Sequence, residues 1–350
     1  MFQQLQQQLQ DAQSQQKALV QVRVLNTEGS TYRKSGARML IDEQGQRFDL
    51  VSGGCLETHL SRHAMQVFHH GKPLSLEYDF SDPNAADWQI SVGCRGKVVL
   101  LLEKLAPENN YGSLALYLQG RQNRAPSWLI TDLTSGHSHL TFNEPVAERG
   151  ADLPENNLSN HPSTALDSTP ITSPPHKSDN QVIEAIDPAP RLLLIGTGPD
   201  TDAIIELARG LDYQMQVIGC QSQSLQHFHH RFPNLAQRVE IDELNNYLSV
   251  NPVSYVIIMT HNQSMDAAYL SQSSLSQLPL VGLLGPAERK QRVLEEMTSP
   301  IPSNLAAPMG LDLGGHGAQA VALSVMAQIQ AVHHHMLGTP LHSKIGGIHD

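Results

Sequence analysis

The sequence predicts an α/β protein in two parts: a C-terminal Rossmann-like parallel sheet domain and, before it, an N-terminal mixed α+β domain. Three observations carry this. From Arg191 onward, short apolar strands alternate with helix-length segments. A glycine-rich turn, Gly196–Thr197–Gly198, follows the first of those strands. A proline-rich stretch separates this region from everything before it. The expected boundaries are 1–150, a linker over 151–190, and 191–350.

The first sixteen residues hold nine glutamines, with Phe2, Leu5 and Leu9 at helical spacing, and read as a short amphipathic helix or a frayed polar start. Strands are expected at Ala18–Leu25, Ala37–Asp42 and Arg47–Val51. A helix follows over Cys55–Phe68, then strands at Pro73–Phe80 and Lys97–Glu103. A helix over Asn110–Gln122 and a hairpin of Ser127–Leu133 with His137–Phe142 complete this domain. Residues 151–190 contain seven of the 21 prolines and no Gly, Phe, Trp or Tyr. Such a composition buries too little apolar surface to offset its ordering entropy, so an exposed linker is expected.

In the second half, strands are expected at Arg191–Ile195, Met215–Ile218, Ser254–Thr260 and Leu280–Leu284. Helices are expected at Pro199–Leu211, Ser264–Ser274, Ala287–Met297 and Gly317–His335. Strands and helices in that alternation build a parallel sheet covered on both faces.

At 350 residues the chain is long enough for two cores. Its net charge of -11 and the lack of any basic run longer than Arg289, Lys290 and Arg292 argue against a nucleic-acid partner. Three cysteines, an odd and sparse count, argue for a reducing compartment. The N-terminus has neither the basic start nor the apolar core of a secretion signal. No apolar run approaches the ~18 residues of a membrane span. The expected location is the cytoplasm, without membrane contact.

In the glycine turn, Gly196 permits the bend and Gly198 lets backbone approach a phosphate at the helix N-terminus, where amide groups point outward. The dinucleotide fingerprint is incomplete. Thr201 stands where a third glycine would fall, and Gly219–Cys220 where a ribose-binding acid would end the second strand. An NAD(P)-dependent oxidoreductase is therefore the alternative reading. His261 and Asn262 end a parallel strand at its carboxyl edge, where open sheets bind ligands. Gly285–Pro286, with Arg289 nearby, is a second anion candidate, or a plain helix start. His333–His335 reads as a solvated helix end.

The N-terminal domain has its own constellation. Ser30, Arg33, Lys34, Gly36 and Arg38 surround one turn; Gly53, Gly54, Cys55 and Glu57 follow; then Cys94 and Gly96. Cys55 at a helix N-terminus near cations favours a thiolate, a soft ligand for a metal or a sulfur-bearing group. With no Cys-x-x-Cys pair and no His at ligand spacing, zinc is a poor fit.

These motifs, in this order, resemble the XdhC/CoxI family, accessory proteins for xanthine dehydrogenase and related molybdenum hydroxylases. The first domain contributes Gly29–Ser30, Arg33–Lys34, Gly36–Ala37–Arg38, Gly53–Gly54–Cys55–Leu56–Glu57, and Cys94 with Gly96. The second contributes Gly196–Thr197–Gly198–Pro199–Asp200, Met259–Thr260–His261–Asn262, Gly282–Leu283–Leu284–Gly285 and Gly310–Leu311–Asp312. The resemblance implies a chaperone without turnover of its own. It would bind the molybdenum cofactor (molybdopterin), protect it during sulfuration by a cysteine desulfurase, and help insert it into an apo-molybdoenzyme. On that reading Ser30, Arg33, Arg38, Gly53, Gly54, Cys55, Glu57, Cys94, Gly196, Gly198, Asp200, His261 and Asn262 contact the cofactor, with Cys55 a ligand to molybdenum. A last helix rich in Ala, Val and Met adds the expectation of a homodimer.

Overall fold

In β1 (Leu19–Glu28) residues 19–25 are all buried, which requires cover on both faces. Strand side chains alternate, so Val20, Val22 and Val24 share one face. They pack on Leu60, Ala64 and Val67 of α2 (Glu57–His70). The other face carries Leu19, Gln21, Arg23 and Leu25. Leu19 joins α1 (Phe2–Gln15), which buries Phe2, Leu5 and Leu9, and α3 (Gly112–Gln122), which buries Leu114 and Leu118. The amphipathic reading of the glutamine-rich start is the one the structure adopts.

This computed structural model describes residues 2–54, 56–80, 96–145, 176–178 and 180–343. They fall in two compact units, Met1–Pro188 and Ala189–Asp350.

The first unit contains two antiparallel sheets. With β2 (Arg38–Asp42), β3 (Arg47–Phe48), β4 (Leu74–Asp79) and β5 (Lys97–Leu105), β1 forms a sheet of order β3-β2-β1-β5-β4. The second joins β6 (Ser127–Asp132), β7 (Ser138–Thr141), β8 (His176–Ser178) and β9 (Gln181–Ile186) in the order β7-β6-β9-β8. Here the linker expectation is corrected. Residues 181–186 are paired along their whole length with β6. Val182 joins Leu25 and Leu101 in a small core, and Glu184 is buried among arginines. A short strand of this kind needs only alternate apolar residues and one strong polar partner, and flanking prolines do not forbid it. Residues 151–175 and 179 of the expected linker lie outside the described residues.

The second unit is one parallel sheet of order β12-β11-β10-β13-β14-β15. Its strands are β10 (Arg191–Ile195), β11 (Gln214–Gly219), β12 (Ala236–Arg238), β13 (Tyr255–Ile258), β14 (Leu280–Leu283) and β15 (Leu305–Ala306). This is the doubly wound order in which two halves run outward from a central pair. In β10, Leu192 and Leu194 face α4 (Thr201–Gly210), α5 (Ser222–Arg231) and α9 (Ala318–His333). Leu193 and Ile195 face α6 (Leu244–Val250), α7 (Gln263–Leu270) and α8 (Ala287–Glu296). Both faces are thus sealed, as continuous apolar strands require. Among the described residues no helix is long and apolar enough to cross a membrane.

Candidate functional site

The strand order reverses between β10 and β13, the place where connections diverge and a crevice opens at the carboxyl ends. Gly196, directly after β10, has φ +140°, and a Cβ there would collide with the Met259 carbonyl. Only glycine lets the two strand ends lie this close. The next turn residues are pinned from below. Thr201, fully buried, directs its hydroxyl to the Gly198 carbonyl at 2.6 Å, so the residue in the third-glycine position ties the turn to the helix. Arg231 on α5 donates to the Thr197 carbonyl at 2.9 Å and pairs with Asp202. With their carbonyls held inward, the amides of Gly198 and Asp200 make no backbone hydrogen bond among the described residues. They are left to donate to a hydrogen-bond acceptor.

Beside this turn is a cleft of about 410 Å³. Asp200, His261, Leu284, Gly285, Arg289 and Ala318 line it, so the N-terminal ends of α4, α8 and α9 all open on it. A volume of several hundred Å³ suits a small organic ligand. His261 has φ +60°, and its Nε2 lies 3.7 Å from Asp200 Oδ2. A Cβ on Gly198 would lie 3.0 Å from the same nitrogen. Gly196, Gly198, Asp200 and His261, named from sequence, are therefore gathered at one edge. Asn262 has a different duty: its side-chain oxygen accepts from the Met265 amide and caps α7. Arg289 belongs to this cleft, while Asp266, Arg231 and Thr201 position its walls. Sequence hinted at Asp266 only as an acid in a first helical turn; its burial was not readable. Cys220 is half-buried beside Tyr269, whose hydroxyl pKa is raised by burial and then by that thiol.

In the first unit, part of the expected constellation is assembled. Gly96 sits against the carbonyls of Glu28 and Ser30, where any Cβ would overlap backbone. Gly53 lies beside the Tyr32 ring, which a Cβ at that position would meet at 3.6 Å. Gly54 and Ser30 are exposed. Arg33 clips this loop to the next one, through Asp49 at 2.6 Å and the Leu50 carbonyl at 3.1 Å. Two residues expected at the cofactor turn inward instead. Glu57 is fully buried, and its carboxylate accepts from the Ser52 amide at 2.9 Å and the Ser52 hydroxyl at 2.5 Å, bracing the segment before α2. Arg38 is buried against Tyr117 and bonds Glu184 through Nη2 at 2.6 Å and 2.7 Å. Arg23 joins it, donating to Glu184 at 3.0 Å and Thr131 at 2.9 Å. Burial works to raise the Glu184 pKa, but Arg38 and Arg23 together carry it below the ordinary carboxylate value. Cys55 and Cys94 lie outside the described residues. Among the described residues no cluster of three or more His, Cys, Asp or Glu is arranged to hold a metal ion.

A doubly wound sheet with an open switch-point cleft, together with an antiparallel α+β unit carrying glycine loops, defines a two-part protein whose second unit is of the Rossmann class. The chain belongs to the XdhC and CoxI family: the XdhC Rossmann domain matches residues 192–329 and the XdhC and CoxI family model matches 12–79, together more than half of the chain. A probable xanthine dehydrogenase subunit of Bacillus subtilis (strain 168) is 27% identical over 325 residues, covering 90% of this chain and 93% of that protein. The molybdenum cofactor insertion chaperone PaoD of Escherichia coli (strain K12) is 31% identical over 90 residues, 25% of this chain and 27% of PaoD. A crystal structure of a xanthine dehydrogenase from Bacillus halodurans has the same fold, with a TM-score of 0.66 at 24% identity over 93% of this chain and 94% of that one.

Proposed function

We propose that this chain is an accessory protein that carries the molybdenum cofactor as cargo for a molybdoenzyme of the xanthine dehydrogenase type. The observation that carries the reading is the switch-point cleft, which brings an arginine, a histidine and several helix N-termini together in about 410 Å³. Such a site suits a compact ligand with a phosphate at one end and a polar ring at the other, which is the chemistry of the cofactor. Membership of the family and the similarity to PaoD support the same reading. The proposal extends to sulfuration of the held cofactor by a cysteine desulfurase and to delivery into the apo-enzyme.

The test is anaerobic incubation of the purified protein with molybdenum cofactor, followed by assay of bound molybdenum and pterin. Near-stoichiometric binding is expected, reduced in Gly198→Ala, whose Cβ would press on His261. Tight binding of a nicotinamide dinucleotide, with no retention of molybdenum or pterin, overturns the reading in favour of an oxidoreductase.

A further inference from the structure

We infer that Arg289 is the phosphate-binding residue of the second unit's cleft, held in place for that contact by the buried carboxylate of Asp266. This rests on the reading that the cleft is a ligand site, and it assigns the end of the ligand that each wall takes.

Asp266 is fully buried. A buried carboxylate is costly unless its lone pairs are met and its charge is paired. Oδ1 accepts from the Thr260 hydroxyl at 2.6 Å and the Thr260 amide at 3.2 Å, and Oδ2 accepts from Arg289 Nη2 at 2.5 Å. Arg289 lies in the first turn of α8, where a long side chain would ordinarily extend into water. Its stem instead folds back over Gly285, where a Cβ would lie 2.5 Å from Cδ. The Arg289 side chain remains 24% exposed and lines the cleft.

A guanidinium has five N–H donors in a planar fork. Among the described residues, the Arg289 side chain makes one hydrogen bond, to Asp266. The remaining donors are held in a fixed direction by a partner that cannot itself reach solvent. Such a fork matches the oxygens of a phosphate group. On another wall stands Asp200, half-exposed beside His261, which repels an anion and accepts hydrogen bonds. The cleft is therefore polarised. The phosphate goes to the Arg289 side, and the donor-rich ring faces Asp200.

The experiment compares wild type, Arg289→Gln and Arg289→Lys. Each is titrated with molybdenum cofactor that is intact or has had its terminal phosphate removed enzymatically. Loss of the phosphate is expected to weaken wild-type binding roughly 10- to 100-fold, the range for a charge-assisted contact. Arg289→Gln should bind the intact cofactor more weakly by a similar factor and no longer distinguish the two forms. Arg289→Lys, which keeps the charge without the fork, should recover only part. If Arg289→Gln distinguishes the two forms as strongly as wild type, the inference is overturned while the proposed function stands.

If wild type binds no cofactor, the proposed function fails, and inorganic phosphate alone still decides about Arg289. Phosphate that raises the unfolding temperature of wild type but not of Arg289→Gln supports the contact. An equal effect on both, or none on either, overturns it. A parallel titration with a nicotinamide dinucleotide tells whether a cofactor phosphate or a nucleotide pyrophosphate is the better source.

Discussion

Two regions of this molecule bury a carboxylate against arginine, with opposite results. In the first unit Glu184 is enclosed with Arg23 and Arg38, each about 1% exposed, and Glu103 completes the group. In the second, Asp266 is just as buried, but Arg289 reaches the surface. The first arrangement joins two sheets and lies too deep for a ligand to reach. The second grips one end of a guanidinium and presents the rest. An arginine beside a glycine-rich loop is therefore not by itself a ligand contact, and what separates Arg38 from Arg289 is whether the side chain reaches the surface.

The comparison breaks most sharply at Glu184. Glu184→Gln leaves two buried guanidinium groups facing one carboxylate, and a loss of about 3–5 kcal/mol is expected in the first unit. Trp128 lies on β6 of that unit and the sequence of the second unit contains no tryptophan, so urea unfolding followed by tryptophan fluorescence reads the first unit selectively. An unchanged midpoint would mean that the network adds nothing to stability. Gly196→Ala comes next. Its Cβ strikes the Met259 carbonyl at a φ that other residues avoid, so a loss of about 1–3 kcal/mol is expected. Far-UV circular dichroism would record it, with tryptophan fluorescence little changed, and coincident loss of both signals would contradict the division into units.

Acid separates the regions more gently. The pKa of Glu184 is depressed below its ordinary 4.5, so the unfolded chain takes up its proton first as pH falls. The stability this group contributes is complete above about pH 5 and is lost as pH falls through the lower folded value. Urea midpoints between pH 6 and pH 3 should decline in wild type and decline less in Glu184→Gln. Parallel curves would remove Glu184 from the acid response. The smallest effect is expected at Arg33→Ala. The Arg33–Asp49 pair is partly exposed, and its removal should cost at most about 1 kcal/mol by the same fluorescence assay. A larger loss would show that this loop clip matters more than its exposure suggests.

The second unit was the more legible in sequence. Leu192–Ile195 and Val256–Ile258 are apolar on both faces, which a covered parallel strand demands, and the turn after β10 carries its own glycines. Within that unit α5 escaped notice, because Leu225 and Phe228 are set among Gln, Ser and His and supply only a narrow apolar stripe. Gly196, Gly198, Asp200 and His261 could be named because a strand's carboxyl end is a position that local pattern specifies. Asp266 and Arg231 could not, since their roles come from partners on other helices. In the first unit, β9 was hidden by the prolines around it. Glu184 gave no local sign of its role, because Arg38 and Arg23 precede it by 146 and 161 positions.

That last separation has a consequence for biosynthesis. A ribosome adds about 5–20 residues per second, so Arg23 and Arg38 emerge several seconds before the strand that neutralises them. Until β9 arrives, Arg23 lacks the carboxylate of Glu184 and β6 is paired on one edge only, with β7. Completion of the first unit must wait for nearly the whole stretch that composition would assign to a tether. A polypeptide cut at residue 150 would lack its closing strand, so the place where this gene product can be divided is near Pro188, and not where the prolines begin.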